Sequence, residues 1–215
     1  LRKHLQGARL SNIEQLGFER AIILSFDTRD EMGFDTKCYL VAELMGKYSN
    51  LIFLDAEKRI VSALKTVDFT TSSLRQVIPG MLYELPPKQD KNDPLQCDRE
   101  QLFALYDDAS ADQRADKFII SNFLGISSAV AREISYRAGG DIECTLRNCT
   151  FESIWAAFCE IIDQIKNNEY TPTAIYDGDR AVEYAFCRLT YYSGLEAREF
   201  ESPSKMLDEY FEGRD

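Results

Sequence analysis

The sequence contains a single histidine, His4, and this scarcity excludes several catalytic and metal-binding arrangements. The six cysteines form no Cys-x-x-Cys pair, so a Cys/His zinc set of the usual spacing cannot be assembled. The sequence also lacks a G-x-S-x-G stretch and a glycine-rich phosphate loop, and no nucleophile can be matched with a base. We therefore expect a protein that is not an enzyme, and we assign it no catalytic residue, no metal ligand and no cofactor.

Long apolar runs are missing as well. No stretch approaches the roughly 20 apolar residues of a membrane-spanning helix, and the start, LRKHLQGARL, lacks the apolar core of a signal peptide. Cys38, Cys159 and Cys187 lie in apolar runs, as reduced core cysteines do. We expect an intracellular, disulfide-free protein without a membrane partner. Because the first residues resemble the end of a helix, we interpret the chain as an N-terminally truncated fragment.

Positive charge is in short supply, since 25 Lys and Arg face 36 Asp and Glu for a net charge of −11. This balance argues against a general nucleic-acid coat protein. The excess acid lies in residues 67–109, with 4 basic against 8 acidic residues, and in residues 141–215, with 7 against 16. Residues 1–66 (10 against 9) and 110–140 (4 against 3) are nearly balanced. A polyanion is therefore predicted to bind one of the balanced segments.

The first third of the chain predicts five consecutive antiparallel strands. Apolar residues alternate with polar ones in short runs, and Gly, Asn and Asp occupy the turns between the runs. Such a series favours a curled sheet or a β-sandwich. The predicted strands cover residues 8–16, 21–26, 38–45, 51–55 and 60–64.

Glu43 is the exceptional residue of the third predicted strand. Leu44 shares one face of that strand with other apolar residues, whereas Glu43 falls on the opposite face beside Val41 and Met45. A buried carboxylate without a partner is costly. Glu43 therefore either lies in solvent at the strand end or faces a polar partner, and the sequence leaves both interpretations open.

Helical periodicity begins at residue 98, after a Pro-containing connector over residues 68–97. A helix, an apolar-Gly-apolar turn over residues 123–127 and a second helix beginning at Ser127 or Ser128 predict a helix-hairpin-helix. Such a turn is able to bind a phosphate, although a purely structural αα-hairpin has the same pattern. Thr150 is predicted to cap a long amphipathic helix that follows.

The end of the chain is predicted to return to strands. Residues 173–176 and 182–192 form a predicted hairpin, and Ser202-Pro203 opens a short helix. We therefore predict an α+β fold in three parts. These are an antiparallel β domain with its connector (residues 1–97), a helical domain (98–168), and strands that rejoin the β domain before a terminal helix (169–215).

Six sequence blocks occur in order along the whole chain and together resemble one known family. The blocks are LRKHL, QLGFER, ELMGKYSNLIFLD, LRQVIPGMLYELPP, FLGISSAVAREISYRAG and SKMLDEYF. They are similar to the NFACT-N region of the RqcH / fibronectin-binding protein A-like (FbpA) family. The resemblance implies a fold similar to formamidopyrimidine-type DNA glycosylases, with a β-sandwich-like domain and a helical hairpin domain. It does not imply glycosylase activity, because this chain lacks the N-terminal proline of that chemistry.

The resemblance also implies a cytoplasmic role in ribosome-associated quality control. Members of the family bind the large ribosomal subunit that carries peptidyl-tRNA and recruit tRNA, so that the stalled peptide receives an untemplated alanine tail. Their NFACT-N region engages the tRNA. The family's Asp-Arg pair falls on Glu19 and Arg20, and its strand-end contact stretch falls on Glu43, Leu44 and Met45.

Two alternatives remain beside this interpretation. Glu19 and Arg20 also fit an exposed turn pair of little energetic worth. The whole chain also fits a surface adhesin that binds fibronectin, the function for which the family was first named.

Overall fold

The alternating residues of the first third form one five-stranded antiparallel sheet in the computed structural model, which describes residues 2–30, 32–70, 74–87 and 89–212. A short helix, α1 (Arg2–Leu5), precedes the sheet. Each strand pairs with the next one along the chain, as the sequence predicts. The strands are β1 (Arg9–Gln15), β2 (Ala21–Arg29), β3 (Asp35–Glu43), β4 (Asn50–Leu54) and β5 (Ile60–Ala63).

The two faces of this sheet differ in their covering. In the connector, Val77 forms an isolated bridge with Val67, and Leu82 forms one with Arg59, the residue before β5. On one face of the sheet, Val41, Ile52 and Ile60 pack with Val77. We call this the covered face. The opposite face, which we call the open face, retains exposed apolar side chains such as Ile13, which is 61% exposed. The covered face therefore holds the main hydrophobic cluster of this part of the chain.

Helices form the core of the second half, which separates from the first as a compact unit. Unit 1 comprises Leu1–Gln89 and unit 2 comprises Asp90–Asp215. The antiparallel sheets and the helices confirm the predicted α+β class. The helices that share the core of unit 2 are α2 (Arg99–Asp108), α3 (Ala115–Asn122), α4 (Ser128–Gly139) and α5 (Phe151–Asn167).

Side-chain caps fix where two of these helices begin. The Ser127 hydroxyl accepts a hydrogen bond from the Val130 amide, and the Thr150 hydroxyl accepts one from the Ser153 amide. Both caps confirm the sequence prediction, because Ser and Thr satisfy amides that lack a partner in the first helical turn. Helices α3 and α4 form an αα-hairpin about Gly125. Phosphate binding by this turn, the helix-hairpin-helix assignment and the glycosylase likeness stay predictions.

The returning strands form a sheet of their own, whereas the sequence interpretation placed them in the first sheet. The strands β6 (Thr173–Asp177), β7 (Arg180–Ala185) and β8 (Glu196–Glu199) pair in the order β7-β6-β8. They stay with the helices because Ile175 and Ala185 belong to the helical core. Strand β8 was missed, because its sequence EARE is almost entirely polar.

The connector also divides differently from the predicted boundary at residue 97. Residues 90–97 lie in unit 2, where the Asn92 amide donates to Asn122 O at 2.8 Å and the Leu124 amide donates to Asn92 O at 2.9 Å. These bonds join the end of the connector to the end of α3. The last helix, α6 (Pro203–Glu212), begins where the sequence predicts.

The predicted strand over residues 182–192 is too long, because β7 ends at Ala185. The Thr190 amide donates to Glu133 Oε2 at 2.6 Å, and Arg188 O accepts from Arg137 Nη2 at 3.0 Å. Side chains of α4 thus satisfy backbone groups that a strand would have paired with a neighbouring strand.

Candidate nucleic-acid interface

Glu19 and Arg20 lie in the tight turn between β1 and β2. Gly17 has a φ of +57°, a left-handed conformation that glycine adopts without strain, and the Leu16 amide closes the turn by donating to Ala21 O at 3.1 Å. Arg20 is exposed and Glu19 is half-buried. Within the described part of the chain, neither side chain forms an ion pair or a hydrogen bond. Both charged groups are therefore available to a ligand.

The end of β3 meets this turn. The Leu44 amide donates to Arg20 O at 2.7 Å, so the two stretches predicted to contact tRNA lie side by side. Leu44 is 54% exposed, and the half-buried Met45 donates its amide to Ser49 Oγ at 2.9 Å. The structure thus brings together Glu19, Arg20, Leu44 and Met45, four of the five predicted residues.

The fifth predicted residue, Glu43, points to the covered face and is only 2% exposed. Its carboxylate accepts from Arg75 at 2.6 and 3.1 Å and from the Tyr83 hydroxyl at 2.8 Å. The interpretation as a solvated strand end is therefore wrong, and the alternative, a polar partner, is right. In this arrangement the Glu43 carboxylate is not available for direct contact with an RNA.

The Glu43 ion pair fastens the connector to the end of β3. Burial, reinforced by the nearby Glu43 charge, raises the pKa of Tyr83, so its hydroxyl remains a hydrogen-bond donor at neutral pH. The Arg75 guanidinium also lies 5.1 Å from the centre of the Tyr83 ring. Because Glu43 precedes Leu44, this cluster holds the strand end in place beneath the exposed residues.

A short 3₁₀ turn, Gly46–Tyr48, continues the exposed surface. The sequence predicts a turn at this place, but Lys47 and Tyr48 were not predicted as site residues. Tyr48 is 68% exposed, and Lys47 Nζ lies 4.9 Å from the centre of its ring. Lys65 Nζ donates to Lys47 O at 2.9 Å, which brings a second ammonium group to this turn. The signal in the sequence was the lysine–aromatic pair of the turn GKYSN.

Asn50 determines the position of Lys65, which is distant in sequence from this turn. The Asn50 amide group donates to Lys65 O at 2.7 Å and accepts from the Lys65 amide at 2.9 Å, as a paired backbone would. The seven residues now assembled share one end of the sheet, and we call them the sheet-end surface. They are Glu19, Arg20, Leu44, Met45, Lys47, Tyr48 and Lys65.

The cations of the sheet-end surface differ from two of the four cations of residues 110–140. Arg20, Lys47 and Lys65 have no carboxylate partner among the residues that the structure describes. In contrast, Arg114 contacts both Asp116 and Glu143, at 3.0 and 2.7 Å. Arg137 is likewise held between two glutamates of unit 2. The first segment therefore gathers on one surface three cations without a carboxylate partner among the described residues, whereas ion pairs hold two of the four cations of residues 110–140.

The same described ranges contain neither a metal site nor a membrane-spanning helix. No three Cys, His, Asp or Glu side chains converge there in a way that would hold a metal ion. None of the helices in these ranges combines the length and the apolar character needed to cross a membrane.

Comparison with known proteins assigns a family to this arrangement. Residues 1–215 match the family described as NFACT N-terminal and middle domains. The chain is 35% identical over 215 residues to the Rqc2 homolog RqcH of Bacillus subtilis, a match that covers all of this chain and 36% of that protein. The chain thus spans about a third of the length of this relative.

Two solved structures have the same fold. The fibrinogen-binding protein from Staphylococcus aureus matches with a TM-score of 0.77 and 24% identity, over 98% of this chain and 73% of that one. The N-terminal part of the fibronectin/fibrinogen-binding protein from Streptococcus suis matches with a TM-score of 0.69 and 27% identity, over 99% and 70%.

Proposed function

The chain belongs to the family of NFACT N-terminal and middle domains, and from this premise we propose that it is the tRNA-binding module of an Rqc2/RqcH-type ribosome quality control factor. In the proposed role, the cytoplasmic protein binds the large ribosomal subunit that carries peptidyl-tRNA. It recruits tRNA for C-terminal alanine tailing of the stalled chain. It acts as a binding module, and the proposal assigns it no catalytic residue.

The observation that carries the proposal is the convergence of unpaired cations, an exposed aromatic ring and apolar side chains on the sheet-end surface. An arginine at an exposed turn is able to contact phosphate oxygens or base edges. Ammonium groups contribute phosphate contacts whose strength falls with salt. The free face of the Tyr48 ring is suited to stack on an unpaired base, as aromatic side chains do on single-stranded RNA. These groups match the loops of a tRNA better than its duplex stems.

Glu43 has a positioning role in this proposal. Its carboxylate binds Arg75 and Tyr83 on the covered face, while the next residue, Leu44, belongs to the sheet-end surface. Loss of the Glu43 charge would therefore affect RNA binding through the position of the strand end. The replacement of the family's Asp by Glu19 lengthens the acidic side chain by one methylene and preserves its charge.

The direct test is tRNA binding by a variant with Glu19→Ala and Arg20→Ala. We expect affinity to fall about tenfold or more, because a direct arginine contact contributes roughly 1–3 kcal/mol. The free energy of unfolding should change by at most about 1 kcal/mol, as expected for exposed charged groups. Filter binding at two salt concentrations measures the first quantity, and urea denaturation measures the second.

A matched control removes an acid and an arginine from unit 2. Asp112 and Arg147 form an exposed ion pair at 2.8 Å, so Asp112→Ala with Arg147→Ala removes the same charges elsewhere. The control should bind tRNA as the parent does. Equal affinity of the Glu19/Arg20 variant and the parent, or an equal loss in the control, would refute the proposed interface. In the full-length protein, the Glu19/Arg20 variant should also lose alanine tailing of stalled peptides.

A fibronectin-binding surface adhesin is the second candidate, favoured by the description of the Streptococcus suis structure. The same variants separate the two functions. If the chain binds immobilised fibronectin but not tRNA, and the Glu19/Arg20 variant binds fibronectin equally well, the adhesin is the better explanation.

A further inference from the structure

Two cysteines of unit 2 lie unusually close together in the loop between α4 and α5. The Sγ atoms of Cys144 and Cys149 are 2.6 Å apart, and the side chains are 6% and 3% exposed. Both are free thiols. The separation is well inside ordinary van der Waals contact and roughly 0.5 Å longer than the ~2.05 Å of a disulfide bond. This pair has no part in the proposed function, which leaves its chemistry open.

Hydrogen bonds anchor the backbone on both sides of the pair. Cys144 O accepts from the Ala115 amide at 2.9 Å, and Cys149 O accepts from the Tyr106 hydroxyl at 2.9 Å. The Asn148 amide donates to Thr145 O at 2.9 Å, which closes the turn between the two cysteines. The sulfur atoms therefore face each other because helices α2 and α3 hold both ends of the turn.

Gly139 leaves room for the two sulfurs at the end of α4. A Cβ atom at this position would lie 2.6 Å from both Sγ atoms, closer than any carbon can approach sulfur without displacement. The sulfurs thus lie directly against an exposed stretch of backbone that carries no side chain. The space left by the glycine accommodates the pair and leaves it only thinly covered.

We propose that Cys144 and Cys149 are a modification site at which a two-electron oxidant of the peroxide class closes a reversible disulfide. One thiolate attacks a peroxide oxygen, the O–O bond breaks, and a sulfenic acid forms as hydroxide leaves. The second sulfur attacks the sulfenic sulfur, the S–S bond forms, and the S–O oxygen leaves as water. Overall, two thiols and one hydrogen peroxide give one disulfide and two water molecules.

Burial sets the rate of this reaction rather than its outcome. Burial and the adjacent Cys144 raise the pKa of the Cys149 thiol to about 12, so little thiolate exists at neutral pH. We therefore expect slow oxidation, with the linkage confined to this pair because no rearrangement of the helices is needed to form it.

Peptide mapping after peroxide treatment of the whole chain provides the test. Trypsin cleaves after Arg147, so Cys144 and Cys149 fall on separate peptides unless a disulfide joins them. We expect the joined peptides, at the mass of their sum less two hydrogen atoms, and their separation after treatment with dithiothreitol. Cys159 shares a tryptic peptide with Cys149, so the mapping is repeated with Cys159→Ser.

Controls keep the proposal falsifiable. Cys149→Ser, which replaces one sulfur with a smaller oxygen, should fold as the parent does, by circular dichroism, and yield no linked peptide at Cys144. The same chain unfolded in urea should form mixed linkages among its cysteines. The proposal is overturned if the folded chain forms a different pair in preference. It is also overturned if no Cys144–Cys149 link forms under peroxide that oxidises the unfolded chain.

Discussion

The two units differ in how completely they bury their apolar residues. Among the described residues, the main core of unit 2 contains 23 buried residues, with members from each of the helices α2 to α5, whereas the main core of unit 1 contains five. Among described residues, 14 exposed large hydrophobic side chains lie in unit 1 and only three in unit 2. Unit 2 therefore resembles a self-sufficient domain, and unit 1 presents surface of the kind that binds other molecules.

Charge separates the units in the same way. Unit 1 carries 12 Lys and Arg against 11 Asp and Glu, and unit 2 carries 13 against 25. Many cations of unit 2 are also held in ion pairs, as Arg114 and Arg137 are. A polyanion is therefore repelled less by unit 1, which also contains the sheet-end surface. The net charge of the whole chain therefore conceals one nearly balanced unit and one strongly acidic unit.

Removal of a buried carboxylate from one unit tests whether that unit unfolds independently of the other. We expect these substitutions to change the free energy of unfolding most. Glu133 is fully buried and binds Arg137 and both polar groups of Thr190. Glu133→Ala should lower the free energy of unfolding of unit 2 by about 3–5 kcal/mol, because the Thr190 amide and hydroxyl lose their buried acceptor and Arg137 loses one of its two carboxylate partners. Trp155, the only tryptophan, lies in unit 2, so its fluorescence in urea measures this loss.

The matching change in unit 1 is Glu43→Ala, which leaves Arg75 and Tyr83 without the carboxylate. The free energy of unfolding of unit 1 should fall by a similar amount, which hydrogen exchange of the β3 and β4 amides measures. The urea unfolding of unit 2, followed by Trp155 fluorescence, should not change. A shift of the Trp155 transition by Glu43→Ala would show that the units unfold together.

A pair of identical leucine truncations sharpens the contrast between core and surface. Leu102 in unit 2 is 0% exposed, and Leu64 in unit 1 is 71% exposed. Leu102→Ala should cost about 2–5 kcal/mol, since it removes buried methyl groups and leaves a cavity. Leu64→Ala should change stability by less than about 0.5 kcal/mol. Thermal unfolding of both variants checks this, and comparable losses would contradict the assignment of Leu64 to a free surface.

As the pH becomes alkaline, the free energy of unfolding of unit 2 should fall at a lower pH than that of unit 1. This effect should be smaller than those of the substitutions above. Burial raises the pKa of Cys187 to about 12 and that of Cys97 to about 11, whereas unfolded thiols titrate near about 8.5. Since the folded pKa values are the higher ones, these thiols stabilise the fold fully below about pH 8.5. That contribution is lost as the pH rises towards 11–12. Urea denaturation is followed by Trp155 fluorescence at pH values from about 8 to about 11. It measures how steeply the free energy of unfolding of unit 2 falls with pH.

The free energy of unfolding of unit 1 should depend on pH in the same direction but more weakly. The one buried thiol of unit 1, Cys38, also has a raised pKa, and the stabilising contribution of Tyr83, whose pKa is raised too, is lost only above its unfolded pKa of about 10. Cys187→Ala should flatten the slope of unit 2 while leaving that of unit 1 as it was. Equal slopes in the two units would contradict the expectation.

Local signals in the sequence predicted much of the fold. The caps at Ser127 and Thr150 were predictable because a cap depends on residues three positions apart. The five strands of unit 1 were predictable because the alternation of apolar residues follows the pleat. The sequence did not reveal the partner of Glu43. Arg75 is 32 residues away, and the fold of the connector brings it to Glu43. For the same reason the sequence did not reveal the contact of Glu133 with Thr190, which lies 57 residues away.

The candidate site was predictable only in part. The positions of Glu19, Arg20, Leu44 and Met45 came from the family resemblance, and their meeting follows from the pairing of β2 with β3. Lys65 could not be placed there, because its position depends on the Asn50 side chain acting as a backbone partner.

Gly139 has a consequence for how this loop is able to change in evolution. Because its missing Cβ would meet both sulfurs, the glycine and the two cysteines form one inherited unit rather than three independent positions. A lineage that replaces Gly139 by a larger residue must first shrink both Cys144 and Cys149, since either remaining sulfur would clash with the new Cβ. Covariation of these three positions among close homologues is therefore expected, with the glycine changing last.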